Sequence, residues 1–427
     1  MKFKIPDLNR DSKALLENIL SMSTLQMVNN FLPLITMPYL VRVLGPGKYG
    51  ALALAQAVID YLVNLTDYGF NITATRIISI ERDNQPKVWE VYSTVLVIKL
   101  ALMIVSAIII ALLITFNATI QRHALAYVFT FGMVIGNVLF PTWFFRGIEQ
   151  MKYIALLDFL MKMFFTVSIF FVIKTEGDYA FVPLLTSLGY IGEGIAAQIL
   201  IYKKYGVRYV LPTREAILIQ LKDGFSVFVS TLTNSFYATV PTVMLGWMGT
   251  EAAIGYYSAG ERLVRAVQRF ISPVSQALFP YLARLAVRDM KQASAFITKA
   301  TTALGIGTFS VSACIWILAE WISDIILGGK YTDSIAVLRI LSFSIFFNSI
   351  GTMLGSLSML ALGYTNLYSK YITILLAVSV CLNLILIPRF MQNGAALTVL
   401  LTTILMAVMS TYFLKSKGVI LNGKNER

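Results

Sequence analysis

The chain has 427 residues, 57% of them hydrophobic and only 13% charged, with a formal net charge of +13. A soluble domain carries roughly 25% charged residues. The composition therefore excludes an ordinary soluble fold and points to a chain that spends most of its length in lipid.

A spanning helix needs roughly 20 mainly apolar residues. In chain order such segments fall at 19–43, 49–72, 91–115, 124–145, 153–173, 180–202, 224–248, 253–281, 297–320, 332–361, 367–388 and 394–414. They predict an all-α membrane protein with about twelve transmembrane helices and no room for a soluble domain. The N-terminus is polar up to Glu17 and lacks a small-residue cleavage site, so the first segment reads as a retained helix. The longest connection, 203–223, divides the chain into an N-terminal lobe (1–202) and a C-terminal lobe (224–427) of six helices each. The lobes share faint likenesses: Thr36-Met-Pro38 with Thr239-Val-Pro241, and Arg146-Gly147 with Leu362-Gly363. These fit parallel repeats about an axis along the membrane normal; chance matching of Gly and Pro is the competing account.

The basic excess need not mean nucleic acid, and no such partner is expected. With both termini cytoplasmic, the inside tails and loops hold 22 Lys and Arg, against 6 outside. That is the positive-inside asymmetry. Cys314 and Cys381 both fall in apolar segments and imply neither a disulfide nor a metal framework. His123, in a short polar connection, reads as solvated. No nucleophile, metal or phosphate-loop motif appears in a usable context, so no cofactor or metal is expected.

Polar residues inside a membrane are costly and face a cavity or another helix. The first segment carries Ser23, Gln26, Asn29 and Asn30; the second carries Gln56, Asp60, Asn64, Asp67 and Asn71 on one face. The seventh carries Ser226, Ser230, Thr233, Asn234 and Tyr237; the eighth carries Ser258, Arg262, Arg265, Arg269, Ser272 and Gln276 on one face. The first two helices of each half thus hold the polar stripes, as two facing pairs around a central water-filled cavity would. A closed bundle with interhelical hydrogen bonds is the alternative. Three arginines on one face count against it, because dry packing needs as many partners and Glu261 points off that face. A surface-lying eighth helix is a further alternative, and it would put the basic C-terminus outside. Elsewhere, Asp158 and Lys162 are spaced to pair, and Lys99 and Lys370 lie near enough to helix ends to snorkel. Arg339 and Glu193 have no assignment. Gly132-x-x-x-Gly136 and Gly351-x-x-x-Gly355 read as close helix packing.

Four stretches resemble a known family. LPLITMPYLVRVLGPGKYGA (32–51) and DYGFNITATR (67–76) look like the N-terminal signature of the polysaccharide transporter family. PTWFFRGIEQMKY (141–153) resembles its motif between helices 4 and 5, and YYSAGERLVRAVQRFISPVSQALFP (256–280) its helix 8 segment. The closest likeness is to Wzx-type flippases, in the superfamily that includes multidrug-and-toxin extruders. The resemblance implies translocation of an undecaprenyl-diphosphate-linked oligosaccharide from the cytoplasmic to the periplasmic leaflet of the bacterial inner membrane, by alternating access between two lobes. It implies that lipid-linked glycan, membrane lipids and other polysaccharide-assembly membrane proteins as partners. A planar guanidinium suits a diphosphate, so Arg262, Arg265, Arg269, Asn29 and Asn234 are the candidate substrate contacts. Asp60, Asp67, Gln56 and Asn64 are candidates for cavity lining or ion coupling. A multidrug or metabolite exporter of the same superfamily is the alternative, but its frequently cationic substrates call for an acidic cavity. An assembly enzyme lacks its extracytoplasmic catalytic loop here, and a non-transporting scaffold stays open.

Overall fold

A computed structural model describes the backbone from Arg10 to Val419, and side chains within it except those of residues 10–33, 272–277, 280 and 366. The described residues are helical almost throughout, without a strand. This is the outcome lipid imposes, since a helix satisfies its own backbone hydrogen bonds. The helices are α1 (Arg10–Asp67), α2 (Phe70–Ile80), α3 (Gln85–Phe116), α4 (Ala118–Arg122), α5 (Ala124–Leu139), α6 (Thr142–Gly147) and α7 (Met151–Val172). There follow α8 (Phe181–Tyr205), α9 (Arg214–Met248), α10 (Glu251–Arg288), α11 (Met290–Ile317), α12 (Ala319–Ile322), α13 (Asp333–Gly351) and α14 (Thr365–Ser416). A π-helix, Thr352–Met359, continues α13.

Every expected apolar segment falls on helix. Among the described residues, eight helices are long and apolar enough to cross a membrane. The chain is a multi-pass membrane protein. The expected 367–388 and 394–414 form one helix, α14, broken at Met391, and 19–43 with most of 49–72 forms α1, broken at Gly45, the end of 49–72 passing over a turn at Tyr68–Gly69 into α2. The eighth segment falls on α10, whose arginines lower its apolarity. The expected connection 203–223 is shorter than read: α9 already begins at Arg214.

The chain forms two compact units: Ala55–Ser235 with the residues up to Tyr39, and Leu40–Leu54 with Phe236–Arg427. Residues 40–54 thus pack with the C-terminal half. The reason is local. Gly50 lies against the Glu251 backbone and Gly255 against that of Pro46, and a Cβ at either would collide.

In the first unit, α5 and α8 pack closely. A Cβ on Gly132 would meet Ser187 at 2.6 Å, and one on Gly136 the Tyr190 backbone at 2.5 Å. The Gly-x-x-x-Gly spacing therefore works as packing. An aromatic core formed by Trp143, Phe144 and Phe145 of α6 fills against Phe70 and Ile78 of α2 and Tyr92 of α3. A polar knot ties five helices of this unit. Lys99 of α3 reaches Asp67 at the end of α1 at 3.0 Å and the Asn137 carbonyl at 2.9 Å. Asn137 and Asn71 donate to the two Asp67 oxygens, and Thr142 donates to Asn71 at 2.6 Å. Lys99 does not snorkel: it is 1% exposed, because its partner sits on another helix at the same depth. His123 is not solvated either. It is 6% exposed and 3.0 Å from the hydroxyl of Tyr179, which the connection between α7 and α8 folds over it. In the second unit, Leu282, Ile297, Met353 and Leu414 anchor a core joining α10, α11, the π-helix and α14.

Candidate functional site

The second unit contains a cavity of ≈ 630 Å³, within the usual range for small-molecule sites. One wall is α10, contributing Glu261, Arg265, Gln268 and Arg269; α9 adds Tyr237, Ala238 and Pro241. The facing wall is α13 and its π-helix, with Ser344, Asn348, Thr352 and Ser356, and α14 closes it with Ser379, Thr402 and Thr403. Several of these hydroxyls bond back into their own helices: Ser344 to the Leu341 carbonyl, Thr402 to that of Thr398 and Thr403 to that of Val399. Such bonds spare the wall a desolvation cost while leaving each hydroxyl oxygen able to accept.

The arginine face of α10 divides into three fates. Arg262 turns away from the cavity and lies over the ring of Tyr49, 5.2 Å from its centroid. Arg265 lines the cavity but is held, donating to Glu261 at 2.7 Å and to the Ala238 carbonyl at 2.5 Å. Pro241 has no N–H for the Tyr237 carbonyl one turn back, so α9 is weakened where its next carbonyl, Ala238, accepts the arginine. Glu261 therefore does not point off the arginine face. Residues i and i+4 are only about 40° apart around a helix, and the long Arg265 side chain closes that offset. Tyr257 donates to the same carboxylate at 3.1 Å. Arg269 lines the cavity with no carboxylate partner among the described residues.

The other candidates lie elsewhere. Asn29 is outside the residues with described side chains, as are Gln26, Ser272 and Gln276. Asn234 is exposed and donates to the Ser230 carbonyl of its own helix at 2.9 Å. In the first unit the α1 stripe is half-buried and bonded partly to itself and partly to other helices. Gln56 donates to Asp60 at 2.8 Å, and Asn64 to the Asp60 carbonyl and the Ser235 hydroxyl, both at 2.7 Å. Asp67 is taken up by Lys99. The expected Asp158–Lys162 pair forms, at 2.5 Å. Arg339, unassigned from sequence, pairs with Glu320 at 2.9 Å and lies over Trp316. Sequence reasoning missed Gln268, Asn348 and the π-helix. The last had a signal: segment 332–361 is longer than one span requires, and π-turns insert extra residues, frequently at functional sites.

Comparison with known proteins agrees with this architecture. The chain is 27% identical over 414 residues to a protein of Escherichia coli K12 described as "Putative O-antigen transporter", covering 97% of this chain and all of that one. It is 24% identical over 189 residues to the probable low-salt glycan biosynthesis flippase Agl15 of Haloferax volcanii, covering 44% of this chain and 40% of that one. Among solved structures, an inward-facing MATE-family multidrug resistance transporter of the MOP superfamily matches with a TM-score of 0.73 at 15% identity, covering 94% of this chain and 98% of that one. The lipid II flippase MurJ matches with a TM-score of 0.70 at 14% identity, covering 94% and 87%. At such identities these two establish the fold alone, a two-lobed helical architecture. A family model described as polysaccharide biosynthesis protein matches residues 15–286, and the chain belongs to that family.

Proposed function

We propose that this protein is a flippase rather than an enzyme. It carries undecaprenyl-diphosphate-linked oligosaccharide from the cytoplasmic to the periplasmic leaflet of the bacterial inner membrane by alternating access, for O-antigen or another surface polysaccharide. The family and the O-antigen and glycan relatives support the class. The observation that carries the reading is the cavity of the second unit: Arg269 lacks a carboxylate partner among the described residues and shares the cavity with the amide of Asn348 and several hydroxyls. A headgroup of sugars on a diphosphate is too polar to cross hydrocarbon unaided. A guanidinium meets phosphate oxygens through charge-assisted bonds, and hydroxyl and amide groups match the hydroxyls of a sugar. Outward movement of negative charge is favoured by an inside-negative potential, by about 2.3 kcal/mol per charge per 100 mV.

A drug exporter of the superfamily fits less well. Counting ionised lining groups, Glu261 (−1), Arg265 (+1) and Arg269 (+1) leave the cavity at +1, which disfavours cationic substrates. The test is a deletion strain. Loss of the gene should remove surface glycan and accumulate a lipid-linked oligosaccharide on the cytoplasmic face. An R269A variant present in the membrane at normal level should fail to restore the glycan, and R269K should restore it in part, since lysine keeps charge without the fork. Full restoration by R269A sinks the assignment of this arginine. Normal surface glycan in the deletion strain sinks the flippase reading itself.

A further inference from the structure

The first unit holds a group of ionisable side chains that neither the cavity nor the polar knot uses. Glu193 lies midway along α8 and is 2% exposed. Its Oε1 is buried without a hydrogen-bond partner among the described residues. On α7, Asp158 and Lys162 form their ion pair at 2.5 Å, and both lie within electrostatic reach of Glu193. The glycines of α8 make the proximity possible: Gly189 and Gly192 admit Phe165 and Met161 of α7, while Gly194 admits Leu139 of α5.

The remaining ionisable neighbours are few. Tyr190 sits one turn back on α8, with the Lys162 ammonium 5.6 Å from its ring centroid. Asp60 of α1 is within electrostatic reach of Tyr190 and accepts a hydrogen bond from Gln56. On α5 the sole ionisable residue is Tyr127, more than two turns from Gly136, where α5 meets Tyr190. Among the described residues Lys162 is thus the lone base for two buried carboxylates, and it is paired with Asp158. Fully ionised, the trio would carry Asp158 (−1), Glu193 (−1) and Lys162 (+1), a net −1 within the membrane span. An uncompensated buried carboxylate is among the costliest arrangements a protein can hold. A proton on Glu193 removes that charge, and its OH would then need only a weak acceptor.

We propose that Glu193 is a proton-binding site of the first unit, carrying one proton on its carboxyl group beside the Asp158–Lys162 ion pair and releasing it when Lys162 turns from Asp158 to Glu193. Proton uptake converts the Glu193 carboxylate to the acid, and release returns the proton to water with no other bond changed. The site sits apart from the arginine-lined cavity in sequence and in unit, and the inference does not rest on the flippase reading.

The experiment is infrared difference spectroscopy on the full chain in lipid nanodiscs at neutral pH, with no substrate present. The C=O stretch of a protonated carboxyl is distinct from the carboxylate bands. Wild type should show it, sensitive to deuterium exchange, and E193Q should lose it. D158N should lose it as well, because Lys162 is then free to hold Glu193 ionised. E193D, a second variant should E193Q fail to fold, should keep a protonated-acid band at a shifted frequency. No such band in wild type overturns the proposal, as does a band of full intensity in E193Q or one unchanged in D158N. Saturable binding of sodium alone that E193Q abolishes, with no carboxyl band in wild type, would make this a sodium site and equally overturn it.

Discussion

Removing either partner of the Asp67–Lys99 pair should destabilise the first unit, and by unequal amounts. Breaking a buried ion pair from one side costs about 3–5 kcal/mol, mostly because the other charge is left uncompensated. The two orphans differ here. Lys99→Met leaves Asp67, whose side chain is 21% exposed and still accepts from the amides of Asn137 and Asn71. That cost belongs at the low end, about 3 kcal/mol. Asp67→Asn leaves Lys99, 1% exposed, with the neutral Asn137 carbonyl as its strongest acceptor. That cost belongs at the high end, about 5 kcal/mol. The double variant D67N/K99M removes both charges and should fall well short of the sum, with a coupling of about 2–3 kcal/mol. Unfolding in mixed micelles titrated with SDS, followed by intrinsic tryptophan fluorescence to which Trp143 of the adjoining core contributes, reads all three. Single-variant costs below about 0.5 kcal/mol, the scale of ordinary surface changes, would refute the reasoning. So would K99M costing more than D67N.

Glu261→Gln removes the carboxylate that occupies Arg265, so the lining charge of the cavity rises from +1 to +2. Binding of undecaprenyl diphosphate to the purified protein should tighten about tenfold, equivalent to about 1.4 kcal/mol; unchanged or weaker binding would show that Glu261 does not compete for that arginine. Reporter fusions in the 206–213 connection and after Asp289 should both report cytoplasm, and a periplasmic signal after Asp289 would mean that α10 does not span. Asp289 caps α11, accepting from the backbone N–H groups of Lys291 and Gln292. The N–H donated by Gln292 leads the interactions that hold the Asp289 carboxyl below its ordinary range. The sign follows: a depressed folded value stabilises above the unfolded value and is lost as pH falls through the folded one. Thermal unfolding of D289A should therefore lie below wild type at neutral pH, with the gap closing in acid; a gap independent of pH would contradict the cap.

Hydropathy located the helices because lipid leaves the backbone no alternative to internal hydrogen bonding. Packing within one pair was equally readable where the spacing itself carried the contact, as in Asp158–Lys162 and Gly132–Gly136. Apart from Glu261, whose partner Arg265 is four positions on in the same helix, the misread residues depended on a partner from another element. Lys99 is near enough to a helix end to snorkel, and nothing within α3 announces that Asp67 closes on it. His123 reads as a loop residue because Tyr179, which covers it, is 56 positions away. Residues 40–54 read as part of the first half because chain order says so, whereas the backbone approach of Gly50 and Gly255 assigns them to the second.

The arginine face of α10 shows how far a helical projection can carry a functional argument. Projection correctly gathers Arg262, Arg265 and Arg269 on one side, but it treats the three as one volume of positive charge. A side chain's charge becomes available to a ligand only after its neighbours have taken their share. Tyr49, from the segment that packs with the second unit, takes Arg262 through its ring. Glu261 and the carbonyl beside Pro241 take Arg265. What remains toward the cavity is chiefly Arg269, farthest along the row and beyond the reach of the Glu261 pairing. For the proposed substrate, one guanidinium without a carboxylate partner among the described residues and a second held by a displaceable carboxylate suit transport better than three free ones. A transporter must release what it binds, and three unscreened arginines on a diphosphate would hold it. On the proposed reading, the Glu261–Arg265 pair is a second cation for a diphosphate to recruit and an internal carboxylate to take that cation back.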